Sequence, residues 1–94
     1  MSKKKVSPYQ YSILEKINYG DLLSQQPFAT YASWKTGGRV PCRTTRSMSK
    51  KALIWHSWDD ELGYITKISD HGLDAIGKLQ YNSQHANLEN SDTL

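Results

Sequence analysis

The glycine pair Gly37-Gly38 restricts the fold of this chain more than any other feature. Two adjacent glycines adopt positive φ at little cost, as a tight hairpin turn requires. The run FATYASW at 28–34 precedes the pair and is rich in aromatic and β-branched residues, which favour strands. The pattern predicts a β-hairpin with strands near 28–34 and 39–42. Pro41 lacks an amide hydrogen, which restricts the second strand to an edge position.

Two helices are predicted on either side of this hairpin. Ser7 can cap the first, over about residues 8–19, because Gln10 follows it at the spacing of a capping box. Thr44 or Thr45 can cap the second, at 43–54. Pro27 would break any helix that begins near Asp21, because proline removes a helical hydrogen bond.

Two short strands and a last helix are predicted after residue 53. The strands run from Ile54 to Trp58 and from Tyr64 to Ile68, and an acidic turn joins them. Ser69 or Asp70 caps the last helix, whose apolar residues are spaced for burial on one face: Leu73, Ile76 and Leu79.

The helix predicted at 43–54 separates cations from apolar residues. With Met48 at the centre of the buried face, Arg43, Arg46 and Lys50 lie within roughly 40° of the opposite pole. Such a face suits duplex DNA, since arginine can hold guanine in the major groove and hydroxyl or lysine side chains can hold phosphates. A solvated helix face without a ligand is the alternative.

The charge of the chain is unevenly distributed. Residues 1–51 contain ten Lys/Arg and two Asp/Glu, a formal charge of +8, whereas residues 52–94 carry −5. A basic half of this kind suits a polyanion, and attraction between the two halves within the fold is the other interpretation. The residues predicted to contact nucleic acid are Arg43, Thr44, Arg46, Ser47, Lys50 and Lys51 of the helix, with Lys3, Lys4 and Lys5 of a basic arm.

A family resemblance rests on two segments that flank the predicted strand pair. Many winged-helix proteins have a threonine-led recognition helix that ends in a GLI-like segment, then a wing, then a segment of the form LT-x-x-G-x-x-A. Ala52-Leu53-Ile54 matches the first segment, and ISDHGLDA at 68–75 matches the last. Over about residues 8–80 the chain thus resembles small winged-helix proteins of phages and prophages.

The resemblance implies an α+β, winged-helix-like fold with three helices and a C-terminal two-stranded wing. An additional β-hairpin replaces the usual second helix of the family. The expected organisation is a basic arm at 1–7, one domain at 8–80 and a disordered polar tail at 81–94. The implied function is that of a non-enzymatic DNA-binding regulator from a phage or mobile element, acting on double-stranded DNA, with a homodimer as a further expectation.

Two features favour a different class of function. The turn at 59–61 is acidic, whereas a wing that follows DNA should be neutral or basic. Three tryptophans in so short a chain exceed what a small core needs, so Trp34, Trp55 or Trp58 could contact a protein partner. Core packing is the alternative for each of them. The second hypothesis is therefore a protein-binding inhibitor of the host-takeover or anti-defence (anti-CRISPR) type.

Other classes of function find little support. Cys42 is the only cysteine, so neither an intramolecular disulfide nor a zinc site built on several cysteines can form. The histidines at 56, 71 and 85 lack metal-ligand spacing, and no residue set suggests a catalytic nucleophile with its base. No apolar run could span a bilayer. We therefore expect no cofactor, no metal, no enzymatic activity and no membrane partner, and a cytoplasmic location.

Overall fold

The computed structural model describes residues 6–78, which form an α+β fold. Within this range, three helices accompany a five-stranded antiparallel sheet of order β3-β2-β1-β5-β4. In chain order the elements are α1 Pro8–Asn18, β1 Leu23–Gln25, β2 Tyr31–Trp34, β3 Arg39–Pro41, α2 Cys42–Lys50, β4 Ile54–Asp59, β5 Gly63–Ile68 and α3 Asp70–Ala75. The predicted arm at 1–5 and the tail after 78 lie outside the described residues.

Helix α1 begins and ends where its sequence predicts. The Ser7 hydroxyl accepts a hydrogen bond from the Gln10 amide at 3.1 Å, which confirms Ser7 as the N-cap. At the other end Gly20 adopts a φ of 104°, and its amide donates to the carbonyl of Ile17. The amide of Asp21 donates to the carbonyl of Lys16. These two bonds form a Schellman motif, which only a residue tolerant of positive φ permits.

The predicted hairpin is confirmed, with strands shorter than expected. β2 and β3 pair with Ala32 opposite Val40, and the two glycines of the turn have φ values of 112° and 100°. Pro41 lies on the edge strand, as predicted from its missing donor.

Strand β1 was not predicted, and it changes the layout of the fold. Ser24 is the partner of Ser33 in β2 and of Ile65 in β5, so β1 bonds to both neighbours. The hairpin and the last two strands thereby become one sheet, and the prediction of a separate two-stranded wing is wrong. β1 is only three residues long with a single buried side chain, Leu23, which is too short for a periodic signal.

Helix α2 also differs from its prediction at both ends. It begins at Cys42 after Pro41, with no side-chain cap, so the threonine cap predicted for 43–54 is wrong. Thr45 is buried within the helix, where its hydroxyl donates to the Cys42 carbonyl at 2.9 Å. The helix stops at Lys50, and Ala52 adopts a φ of 62°, which turns the chain into β4.

Helix α3 is attached to this turn. The Ser69 hydroxyl accepts from the Gly72 amide at 3.0 Å, which confirms one of the two predicted caps. The same hydroxyl donates to the Ala52 carbonyl at 2.7 Å, and the Ser69 amide donates to the Leu53 carbonyl. A methyl group at Gly72 would collide with the Leu53 carbonyl, so the helix packs closely there because it has a glycine. Leu79 lies outside the described residues.

The helices cover one face of the sheet and leave the other open. The covered face and the helices share a core of buried side chains: Ile13, Leu14, Leu23, Ala32, Trp34, Val40, Met48, Leu53, Ile54 and Ile76. Alternation along each strand turns the remaining residues away from the helices. We call this second side the open sheet face; it is formed by Ser24, Tyr31, Ser33, Arg39, Pro41, Trp55, Ser57, Asp59, Gly63, Ile65 and Lys67.

Two glycines with positive φ test how tightly the sheet is packed. Gly63 has a φ of 87° and its missing Cβ would collide with the Gln25 carbonyl of β1, whereas nothing lies near Gly37 at φ 112°. We expect Gly37→Ala to lower the free energy of unfolding by about 1 kcal/mol through backbone strain. Gly63→Ala should lower it by about 2 kcal/mol more, because overpacking is added. Urea denaturation measures both, and equal losses would contradict the close β1–β5 contact.

Candidate nucleic-acid interface

Helix α2 separates buried from exposed residues as its sequence predicts. Cys42, Thr45 and Met48 are buried, and α2 packs through this side on β3 and β4. Three cations lie on the exposed side, within three turns of the helix: Arg43, Arg46 and Lys50. We call this set the α2 basic face.

The other predicted contact residues of α2 lie nearer to the protein interior. Thr44, Ser47 and Lys51 are half-buried. Gln10 of α1 contacts two of them: its Nε2 donates to the Ser47 hydroxyl at 3.4 Å, and its Oε1 accepts from Lys51 Nζ at 2.8 Å. These two side chains thus join α2 to α1. Lys3, Lys4 and Lys5 lie outside the described residues.

Two adjoining hollows lie beside α2 and share Cys42 and Arg46. The larger, of about 490 Å³, is lined by residues that include Thr30, Tyr31 and Arg43. The smaller, of about 260 Å³, extends over the covered face of the sheet, where its lining includes Gln25, Ser49, His56 and Tyr64. Among the described residues, no carboxylate lines either hollow, whereas two arginines do.

Unpaired polar atoms cluster beneath the smaller hollow. Gln25 Oε1, His56 Nε2 and Thr66 Oγ1 are buried and have no hydrogen-bond partner among the described residues. His56 and Thr66 are directly opposite each other on β4 and β5. Burial lowers the pKa of His56, because the imidazolium loses its hydration there. The ring is therefore neutral at pH 7.

Cys42 has the environment of an inert thiol. Burial raises its pKa, and the positive charge of Arg46 opposes this effect only in part. A thiol held in its neutral form is a poor nucleophile. The arginine next to a cysteine in the sequence is thus not a sign of reactivity here.

The acidic turn between β4 and β5 uses two of its three carboxylates locally. The Asp59 carboxylate accepts from the backbone amides of Glu61 and Leu62, at 3.0 and 2.8 Å. Asp60 accepts from the indole Nε1 of Trp58 at 3.1 Å. The acidic residues therefore shape the turn and orient a tryptophan.

The three tryptophans have different surroundings. Trp34 is in the core, 8% exposed, with Lys16 Nζ 4.5 Å from its ring centroid. Trp55 and Trp58 are 52% and 55% exposed, although they lie on opposite faces of β4. Trp58 is on the face that carries the helices, beyond the core, where it meets Tyr64 edge-on with ring centroids 5.1 Å apart. Core packing therefore accounts for Trp34 but not for either tryptophan of β4.

Comparisons with protein-family models, curated proteins and solved structures found no match. Within residues 6–78, no group of three or more His, Cys, Asp or Glu side chains could hold a metal ion. No helix in this range has the length and apolar character needed to cross a bilayer.

The lowered pKa of His56 predicts how stability depends on pH. Because the folded state disfavours protonation of His56, the stability that its neutral ring contributes is fully present above about pH 6.5, the pKa of an unfolded histidine. This stability is lost as the pH falls toward the lower pKa of the folded state. We expect the thermal midpoint of the protein to fall as the pH decreases below about 6.5. His56→Gln should flatten this dependence. A curve that His56→Gln leaves unchanged would contradict the buried, neutral imidazole.

Proposed function

We propose that this chain is a small DNA-binding protein, a regulator of the phage or mobile-element type, that contacts duplex DNA through the α2 basic face. The observation that carries the proposal is the exposure of Arg43, Arg46 and Lys50 together on one side of a helix whose opposite side is buried. A helix with such a face fits the major groove, which is about 12 Å wide. Lys3, Lys4 and Lys5 add phosphate contacts in this proposal.

The winged-helix resemblance supports the proposal through the residues that carry it. Ser69 and Gly72 of the ISDHGLDA segment hold α3 against the chain between α2 and β4, through the Leu53 carbonyl. This attachment holds the connection that follows α2. A rigidly held helix suits DNA recognition, because its side chains keep one register on the duplex.

The acidic turn lies at a distance that lessens its conflict with DNA. It is at the opposite end of β4 from the connection to α2, roughly 20 Å away along a six-residue strand. Two of its carboxylates are engaged within the turn itself. Repulsion of phosphates by these charges is also screened beyond a Debye length of about 10 Å at 0.1 M salt.

The proposal predicts a change in salt dependence. Arg46→Gln combined with Lys50→Gln should weaken binding to a random 20-base-pair duplex, because two phosphate contacts are lost. The slope of log K against log salt should decrease in magnitude by about 1.8. Fluorescence anisotropy across 20–200 mM salt measures it.

A matched control removes the same two charge types from the open sheet face. Arg39→Gln combined with Lys67→Gln should leave the slope for duplex unchanged. An equal decrease in both double variants would mean that net charge, and not the α2 basic face, governs binding. Absence of duplex binding by the unaltered protein at about 100 µM and low salt would refute the proposal.

A homodimer is also part of the proposal. Its two α2 helices would have to lie about 34 Å apart to reach paired half-sites on DNA. Sedimentation equilibrium of the full chain with and without duplex tests it. A strictly 1:1 complex on every duplex length would contradict the dimer.

A second candidate function is protein binding, favoured by the apolar side chains at one end of the sheet. Phe28 is fully exposed and adopts a φ of 68°, which is unusual for a bulky residue. Trp58 and Leu62 are exposed near the neighbouring turn, and Gln26 Nε2 donates to the Glu61 carbonyl between the two turns. An inhibitor that uses this end would bury these side chains against its target.

The two candidates differ in which substitutions abolish function. A stoichiometric partner captured from nuclease-treated bacterial lysate should be lost with Phe28→Ser or Trp58→Ala under the protein-binding hypothesis. It should be retained with Arg46→Gln and Lys50→Gln. A partner that is captured only when nuclease is omitted, and that is lost with the α2 variant, would instead favour DNA binding.

A further inference from the structure

We propose that the open sheet face binds single-stranded nucleic acid, independently of the α2 basic face. The two surfaces have no residue in common, although they adjoin at one edge, where Tyr31 and Pro41 line the larger hollow together with Arg43 and Arg46. The open face combines exposed aromatic rings, cations and small hydroxyl side chains. These are the groups on which unpaired bases stack and to which phosphates bind.

Each end of the open sheet face pairs an aromatic ring with a cation. Tyr31, on β2, is 42% exposed and has the Arg39 guanidinium 4.3 Å from its ring centroid. Trp55, on β4, is 52% exposed and lies directly opposite Lys67 of β5. A base that stacks on either ring, or on the guanidinium plane, therefore has a positive charge beside it for its phosphate.

The distance between Tyr31 and Trp55 suits a short segment of single-stranded nucleic acid. β2 and β4 are separated by β1 and β5, which gives three strand spacings, or roughly 14 Å. The registers place Tyr31 about four residues along the strand direction from the row of Trp55, another roughly 14 Å. The rings are therefore roughly 20 Å apart on a diagonal, a length suited to a segment of about four nucleotides, the lower end of single-strand site sizes.

The middle of the diagonal consists of three serines and one isoleucine. Ser57 is opposite Ile65, Ile65 is opposite Ser24, and Ser24 is opposite Ser33. The three serine side chains are short, and their hydroxyl groups supply donors for phosphate or sugar oxygens. A row of large apolar side chains would instead indicate a protein-packing surface.

The charge of the open sheet face favours an anionic occupant. Its strand residues include two cations, Arg39 and Lys67, and one carboxylate, Asp59. Asp59 is already engaged by two amides of its own turn, and it lies two rows away from Lys67. The phosphates of a single-stranded nucleic acid would therefore meet two cations on this face. A duplex, in contrast, offers no unstacked base for the aromatic rings.

The test compares two tryptophans of the same strand. We expect the full chain to bind fluorescein-labelled dT12 at 20 mM salt, and Trp55→Ala and Tyr31→Ala each to weaken binding roughly tenfold through the loss of one stacked base. Trp58→Ala, equally exposed but on the opposite face of β4, is the matched control and should leave the affinity unchanged. Circular dichroism confirms that each variant is folded.

A second measurement tests the cations without touching the rings. Lys67→Gln should lower the magnitude of the salt slope for dT12 by about 0.7, the value for one phosphate contact on a single strand. Arg46→Gln with Lys50→Gln should leave dT12 binding intact, so failure of the duplex proposal and failure of this one are distinguishable.

Three results would overturn the inference. The first is no dT12 binding at about 100 µM protein, beyond the usual non-specific range. The second is an equal loss of affinity from Trp55→Ala and Trp58→Ala. The third is a Trp55-dependent self-association in sedimentation experiments that dT12 does not reverse, which would assign the face to a second copy of the chain.

Discussion

The pairing of β1 with both β2 and β5 is the interaction on which the rest of this structure depends. Without it the N-terminal hairpin and the C-terminal strand pair would be two isolated ribbons, and an isolated ribbon is at best marginally stable in water. With it the five strands form one surface wide enough for the helices to pack on. Gly63 permits this contact, because any side chain there would collide with the Gln25 carbonyl of β1. One glycine and three residues of strand thus unite the two halves of the chain.

The junction between α2 and β4 sets the position of the proposed DNA contact. Ala52 turns the chain at a φ of 62°, and Ser69 holds the turn through bonds to the carbonyls of Ala52 and Leu53. The core seals the same region, since Met48 and Leu53 are almost fully buried. The α2 basic face consequently lies on the exposed side of the helix, where Arg46 borders the hollow over the covered sheet face. Ser47 and Lys51, on the flank, contact Gln10 of α1.

The sequence predicted helices and strands well where the caps and turns that bound them are formed by residues close together in the chain. The Ser7 cap, the glycine turn of the hairpin, the strand pair after residue 53 and the Ser69 cap all depend on residues within a few positions of one another. The start of α2 was wrong because Thr45 is needed in the core, where its hydroxyl bonds within the helix. β1 was missed because a three-residue strand owes its existence to two partners distant in sequence.

The sequence by itself determined which side chains α2 exposes, because a helical period of 3.6 residues separates Met48 from the three cations wherever the helix lies. It also determined the turns, since glycine, proline and serine act on the adjacent backbone. Only the tertiary structure decided that Tyr31 and Arg39 share one sheet face with Trp55 and Lys67. Strand order and register bring these residues together from distant parts of the chain, and both depend on the pairing of β1.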